Sequence, residues 1–174
     1  MHMRRQPLVW LSADAWLFMM GEADAKEPLE TGGILAGYWA NAREVVISAA
    51  SGPGPDAVHL SHRFKPDPEY QETWISHRYL QTKGIETYLG DWHTHPGATV
   101  ANPSRTDRST ARRIANAAEA RAPNPVTLIL AGDTTSWTPT AWIARLVPVI
   151  GPWSRLRMEN CEVRPYVGRA LGRD

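Results

Sequence analysis

The stretch from Gly84 to Asp107 constrains the fold most. Residues 84–92, Gly-Ile-Glu-Thr-Tyr-Leu-Gly-Asp-Trp, are rich in β-branched, aromatic and aliphatic side chains, the composition of a strand. If that strand runs on to residue 95, its period of two puts His93 and His95 on one face. Thr94 and Trp92 then turn to the other. Pro96 cannot donate to a ladder and ends the strand. Ser104 has the chemistry of an N-cap for a helix reaching about Ala122, where Pro123 stops it. On that helix Asp107, Ala111, Ile114 and Ala118 fall on one stripe, while Arg105, Arg108, Arg112 and Arg113 spread over other faces. Asp107 therefore points inward, and an inward carboxylate is costly unless it is paired or binds a metal.

Two imidazoles and one carboxylate are three protein ligands, which leaves a tetrahedral zinc its fourth position for water. A structural zinc site would be closed by four ligands, usually with several Cys, and this chain has one Cys. His93, His95 and Asp107 thus point to one open, catalytic Zn2+. Taken singly, each residue has a plainer explanation: a chance pair on a strand, a helix cap at Ser104, a carboxylate complementing the helix dipole. The metal site accounts for all of them at once. Asp91 shares the His face and is a candidate partner for an imidazole.

His93-Thr94-His95-Pro96 followed by Ser104-Arg-Thr-Asp107 closely resembles the JAMM signature of the bacterial JAB/MPN zinc metalloproteases, a deubiquitinase-like isopeptidase family. One residue more than the commonest spacing separates His95 from Ser104, in a loop that tolerates insertion. The family also carries an upstream catalytic glutamate before a glycine-rich strand, and Glu30-Thr-Gly-Gly-Ile-Leu-Ala-Gly37 stands in that place. Arg63-Phe64-Lys-Pro-Asp-Pro-Glu-Tyr70 is similar to bacterial members, and the likeness spans about residues 8–148. The resemblance implies that Glu30 is general base and then acid on the zinc-bound water, and that Ser104 donates to the developing oxyanion. It implies an isopeptidase or peptidase cleaving after the C-terminus of a ubiquitin-like protein, to remove it from a target or to process its precursor. Small bacterial members often accompany activating and conjugating enzymes for such modifiers, including antiphage systems. The proline-rich segment 51–68 would close over the modifier's tail, and small terminal glycines would pass so narrow a channel. Relatives lacking the metal residues act as scaffolds, and a DNA-repair-associated branch shares the fold; this non-catalytic reading is the alternative.

Other His-x-His sites fit less well. A metallo-β-lactamase-like site wants an Asp-His pair where Pro96-Gly97 stand, and a cupin wants a glutamate where Ala98-Thr99-Val100 stand. A zinc nucleobase deaminase needs Pro-Cys-x-x-Cys, which one Cys excludes.

The rest of the chain supplies a scaffold. Ser12 should cap a helix over 13–25, with Trp16, Leu17, Met19, Met20 and Ala23 as its apolar stripe. Residues 32–39 and 43–50 read as strands joined by a turn at Ala40-Asn41, and 57–64 as a short strand within a loop. Asp67-Pro68 starts a second helix that Gly84 ends. Strands follow at 126–131 and 137–148, and 151–174 reads as one last strand and a tail. The expected fold is α/β in α+β layers: a mixed, curved sheet with helices packed on it, in a single domain 1–174. Its core covers about 8–148, and 151–174 form a C-terminal extension. Apolar residues make up 43% of the chain, enough for a sizeable core, and a net charge of +1 argues against a generic nucleic-acid binder. No apolar run would span a membrane and no signal peptide is visible, so the expected location is cytoplasmic, with Cys161 a small buried hydrophobe. Of the eight tryptophans, Trp16 and Trp74 suit buried helix faces, and any exposed one would mark a protein-binding patch.

Overall fold

The computed structural model describes residues 6–151 and 153–168. His2, to which the sequence assigns no role, and the end of the C-terminal extension lie outside the described residues. In chain order the elements are β1 (Leu8–Ser12), α1 (Ala13–Lys26), β2 (Gly32–Asn41), β3 (Glu44–Ala50), β4 (Val58–Leu60), β5 (Arg63–Lys65) and α2 (Pro68–Gln81). Then come β6 (Thr87–Pro96), α3 (Arg105–Asn116), a single 3-10 turn at Ala118–Ala120, β7 (Val126–Asp133), β8 (Ser136–Pro148) and β9 (Ser154–Tyr166). No described helix is long and apolar enough to cross a membrane.

The sheet is mixed, as expected, and it curves until it closes: β1-β3-β2-β6-β7-β8-β9, with β9 returning to β1. The seam is β1, parallel to both β3 and β9. Leu8-Val9-Trp10-Leu11 carries strand-forming residues, but four positions directly before a helix cap give too short a run to read. The extension assigned to 151–174 supplies β9, which pairs antiparallel with β8 from Ala141 through Pro148. It is a wall of the barrel, and Cys161 lies buried on its inner side.

At the site end of the barrel, β6 lies between β2, antiparallel, and β7, parallel. Val126 to Ala131 are all buried, so β7 reads as a nearly continuous apolar run, broken only by Thr127, rather than an alternating one. The connection from β6 to β7 passes through α3, as a parallel pair requires. On the other side, α1 buries Ala15, Met19 and Ala23. Leu17, expected on that stripe, is 61% exposed, and Trp16 and Met20 are half-buried.

Several boundaries differ from the sequence reading. The β2–β3 turn is at Ala42-Arg43, because β2 keeps its pairing through Asn41↔Glu44. Segment 57–64 is a two-stranded hairpin, β4–β5, rather than one strand. Helix α3 stops at Asn116 rather than near Ala122. Ala117 is already extended and Arg121 adopts a left-handed conformation (φ 50°), so the chain turns toward β7 before Pro123 can act as the stop. Ala118 therefore leaves the stripe of Asp107, Ala111 and Ile114. Trp74 is only half-buried, and Trp153 is 76% exposed beside Val149 and Ile150 at the β8–β9 turn.

Candidate metal centre

Strand alternation delivers the two imidazoles. His93 and His95 project from one face of β6 with their Nε2 atoms 3.1 Å apart, while Thr94 between them is fully buried on the other face. Trp92 also turns away, its indole N–H donating to the Ser51 carbonyl at 2.9 Å. Opposite His93 in the β2–β6 register stands Gly32, where a Cβ would lie 2.2 Å from the Trp92 carbonyl oxygen. Only glycine lets the strands approach this closely.

The third group comes from the first turn of α3. Ser104 and Asp107 form a reciprocal capping box: the Asp107 N–H donates to Ser104 Oγ at 3.1 Å, and the Ser104 N–H donates to Asp107 Oδ2 at 2.7 Å. This fixes the carboxylate against the imidazoles, 3.3 Å from His93 Nε2 through Oδ1 and 3.9 Å from His95 Nε2 through Oδ2. The three donor groups lie within 4.8 Å of one another. Metal–ligand bonds of 2.0–2.1 Å in a tetrahedron would set donors roughly 3.3 Å apart, so donor chemistry and spacing both suit a zinc-sized ion.

The protonation states suit one too. Burial raises the Asp107 pKa, but the hydrogen bond and charge of His93 and the N–H and hydroxyl of Ser104 outweigh it, holding the carboxyl well below the usual carboxylate range. Burial lowers the His95 pKa, His93 lowers it further, and Asp107 opposes the shift. At neutral pH Asp107 is charged and His95 neutral, the forms that bind metal.

Glu30 lies on the loop between α1 and β2, and its backbone is held from two directions. The Glu30 N–H donates to the Leu60 carbonyl at 2.9 Å, and the Glu30 carbonyl lies 2.9 Å from His59 Nδ1, which must carry the proton. Both partners belong to β4. The next residue is tied to the metal strand: the Thr31 N–H donates to Thr94 Oγ1 and the Thr94 N–H to the Thr31 carbonyl, each at 2.9 Å. Thr94, which alternation turns away from the imidazoles, thus couples the His strand to the Glu30 loop. Burial raises the Glu30 pKa; the charges of His93 and His62 lower it and that of Asp107 raises it, so its carboxyl lies within electrostatic range of the His–Asp cluster. The structure therefore brings His93, His95 and Asp107 into one cluster, with Ser104 capping the helix that carries Asp107 and the Glu30 loop tied to the His strand through Thr31 and Thr94. His59 was not legible, since one histidine in a proline-rich loop carries no spacing signal.

Asp91 shares the His face, as alternation requires, but its hydrogen bond comes from the Tyr88 hydroxyl at 2.6 Å rather than from an imidazole. Burial raises the Asp91 pKa, while that bond and the charges of His93 and Arg113 lower it.

A family profile described as prokaryotic homologs of the JAB domain matches residues 12–144. The chain belongs to this family. The likeness read from the His-x-His and Ser-x-x-Asp elements thus holds at the family level, and the mixed α/β fold agrees with it. A relative in Sinorhizobium fredii, named probable metalloprotease y4qB, is 40% identical over 139 residues, 80% of this chain and 85% of its own. A CD-NTase/cGAS isopeptidase of Vibrio cholerae is 30% identical over 84 residues, 48% of this chain and 53% of its own. Among solved structures, the solution structure of protein DSY2949 from Desulfitobacterium hafniense matches with a TM-score of 0.60 at 19% identity, covering 91% of this chain and 94% of that one. That likeness concerns the fold alone.

Proposed function

We propose that this JAB-family protein is a zinc-dependent isopeptidase or peptidase that cleaves after the C-terminus of a ubiquitin-like protein. The observation that carries the reading is the cluster of His93, His95 and Asp107, whose donor groups lie within 4.8 Å of one another. The relatives named metalloprotease and isopeptidase support the reaction class. The modifier, its associated activating and conjugating enzymes and any antiphage role are part of the proposal, as is a single domain over 1–174. The complete donor set speaks against a scaffold.

His93, His95 and Asp107 would hold the ion. When bound, zinc lowers the pKa of a coordinated water toward ~7 and polarises the scissile carbonyl. Glu30 takes the proton from the attacking water and returns it to the leaving amine, a role suited to a carboxyl whose pKa burial has raised. The Ser104 hydroxyl accepts from the Asp107 amide through a lone pair, and its hydrogen, directed to the Asp107 carboxylate at rest, would turn to the oxyanion, so capping and catalysis use different parts of one group.

Both edges of β6 are taken by β2 and β7, so the tail of the modifier has no place beside the His strand itself. The β4–β5 hairpin, whose Leu60 and His59 hold Glu30, is the better candidate for strand addition. The test is a modifier–target fusion whose cleavage point is read by intact mass, with zinc-loaded Glu30→Gln as control. A cut after the terminal glycine, stopped by Gly→Leu at that position, supports the reading. Indiscriminate cutting of unfolded proteins would leave a general zinc peptidase.

A further inference from the structure

The outer face of α3 carries a feature that the metal centre does not use. Arg105, Arg108, Ser109 and Arg112 share one side of the helix, opposite the stripe of Asp107, Ala111 and Ile114. With Leu156 of β9 they line an open groove of about 360 Å³. Arg112 is anchored across it, Nη1 donating to the Ser154 carbonyl at 3.3 Å. Among the described residues, Arg78, Arg145, Arg157 and Arg164 each pair with a glutamate, whereas none of the three groove arginines is in an ion pair. The chain has 19 basic and 18 acidic residues, so this is a local separation of charge and not a general excess.

We propose that this groove docks an acidic peptide segment of the protein substrate; the inference rests on the reading of the chain as a protease for that substrate. Three guanidinium groups spread over roughly 10 Å of helix axis, a length that takes two carboxylates two residues apart on an extended peptide, about 6.7 Å. Each guanidinium offers a planar fork matched to a carboxylate. Leu156 gives the groove an apolar wall, which a peptide side chain can cover and a sugar–phosphate backbone cannot. A nucleic-acid track would call for a longer basic stripe and a more basic chain than pI 8.0. The groove lies just past Ser104, on the helix whose first turn carries Asp107. A substrate held there is delivered to the metal centre by the same rigid element.

The experiment reads binding without turnover. Fluorescence anisotropy would follow a labelled peptide of alternating glutamate and leucine, and a single-stranded oligothymidine of equal charge, at about 0.15 M salt where remote charges are screened. The expected result is saturable peptide binding, tighter than the oligonucleotide, and weakened at least tenfold in Arg108→Glu/Arg112→Glu. Arg105→Ala should give a smaller loss. Thermal midpoint and zinc content, measured on each variant, show that the fold and metal centre are intact. No binding at that salt, equal binding by the double variant, or preference for the oligonucleotide would each overturn the proposal. Peptide binding that behaves as expected in a protein taking up no zinc would instead strike the catalytic reading and leave the docking surface standing.

Discussion

Ser104 and Asp107 hold each other: each backbone N–H donates to the other's side chain, at 2.7 and 3.1 Å. Removing either side chain therefore weakens the start of α3 as well as the chemistry assigned to it. Ser104→Ala should cost about 0.5–2 kcal/mol of stability through the lost cap. It should also lower kcat by about 10²–10³ with KM little changed, because the oxyanion bond strengthens only in the transition state. Denaturant melts and steady-state kinetics separate the two effects; a stability loss with unchanged kcat would make Ser104 a cap alone.

Asp107→Ala should lose zinc, read by elemental analysis after dialysis. In the wild-type protein, the lowered pKa values of Asp107 and His95 keep both groups deprotonated below their ordinary titration ranges. Zinc should therefore persist at pH 6.5 and be released on further acidification as protons displace it from the ligands. Full occupancy in the alanine variant would remove Asp107 from the ligand set.

Glu30→Gln should keep both fold and zinc while turnover falls by at least about 10², the lower range for loss of a general acid–base group. Near-native activity would exclude it as the base.

His59→Ala removes a donor to the Glu30 carbonyl without touching the metal ligands. We expect kcat to fall with zinc content unchanged, and His59→Asn, which can still donate, to recover part of the loss. A change in zinc content would show that the hairpin supports the ligands rather than the Glu30 loop.

Burial pushes the Cys161 thiol up to about 12. A raised folded pKa means the thiol stays protonated to higher pH than in the unfolded chain. Iodoacetamide at pH 8.5 should leave the native protein unlabelled and modify it quickly in denaturant. Fast labelling of the native state would place Cys161 outside the barrel interior.

The sequence made the His–Asp cluster legible because period-two alternation and helix capping are local rules, and His93, His95, Ser104 and Asp107 all obey them within a span of 15 residues. The fold class was readable for the same reason, from patterns such as the apolar run of β7. What escaped depends on distant partners. β1 is stabilised by pairing with β3 and β9, so Leu8–Ser12 carries little signal of its own. The end of α3 is set by where β7 must begin. His59 acts on a backbone carbonyl 29 positions away, and no side-chain pattern records such a contact.

The barrel seam has a consequence for how the protein is made. Of the described strands β1 is translated first, yet one of its two neighbours, β9, is translated last. His93, His95, Asp107 and Glu30 are all synthesised well before Ser154, so the residues of the candidate site exist while one edge of β1 is still unpaired. Parallel pairing between segments so far apart in sequence is slow to form. A nascent chain stalled before residue 154 would expose the strand edges of β1 and β8, and such edges recruit other chains.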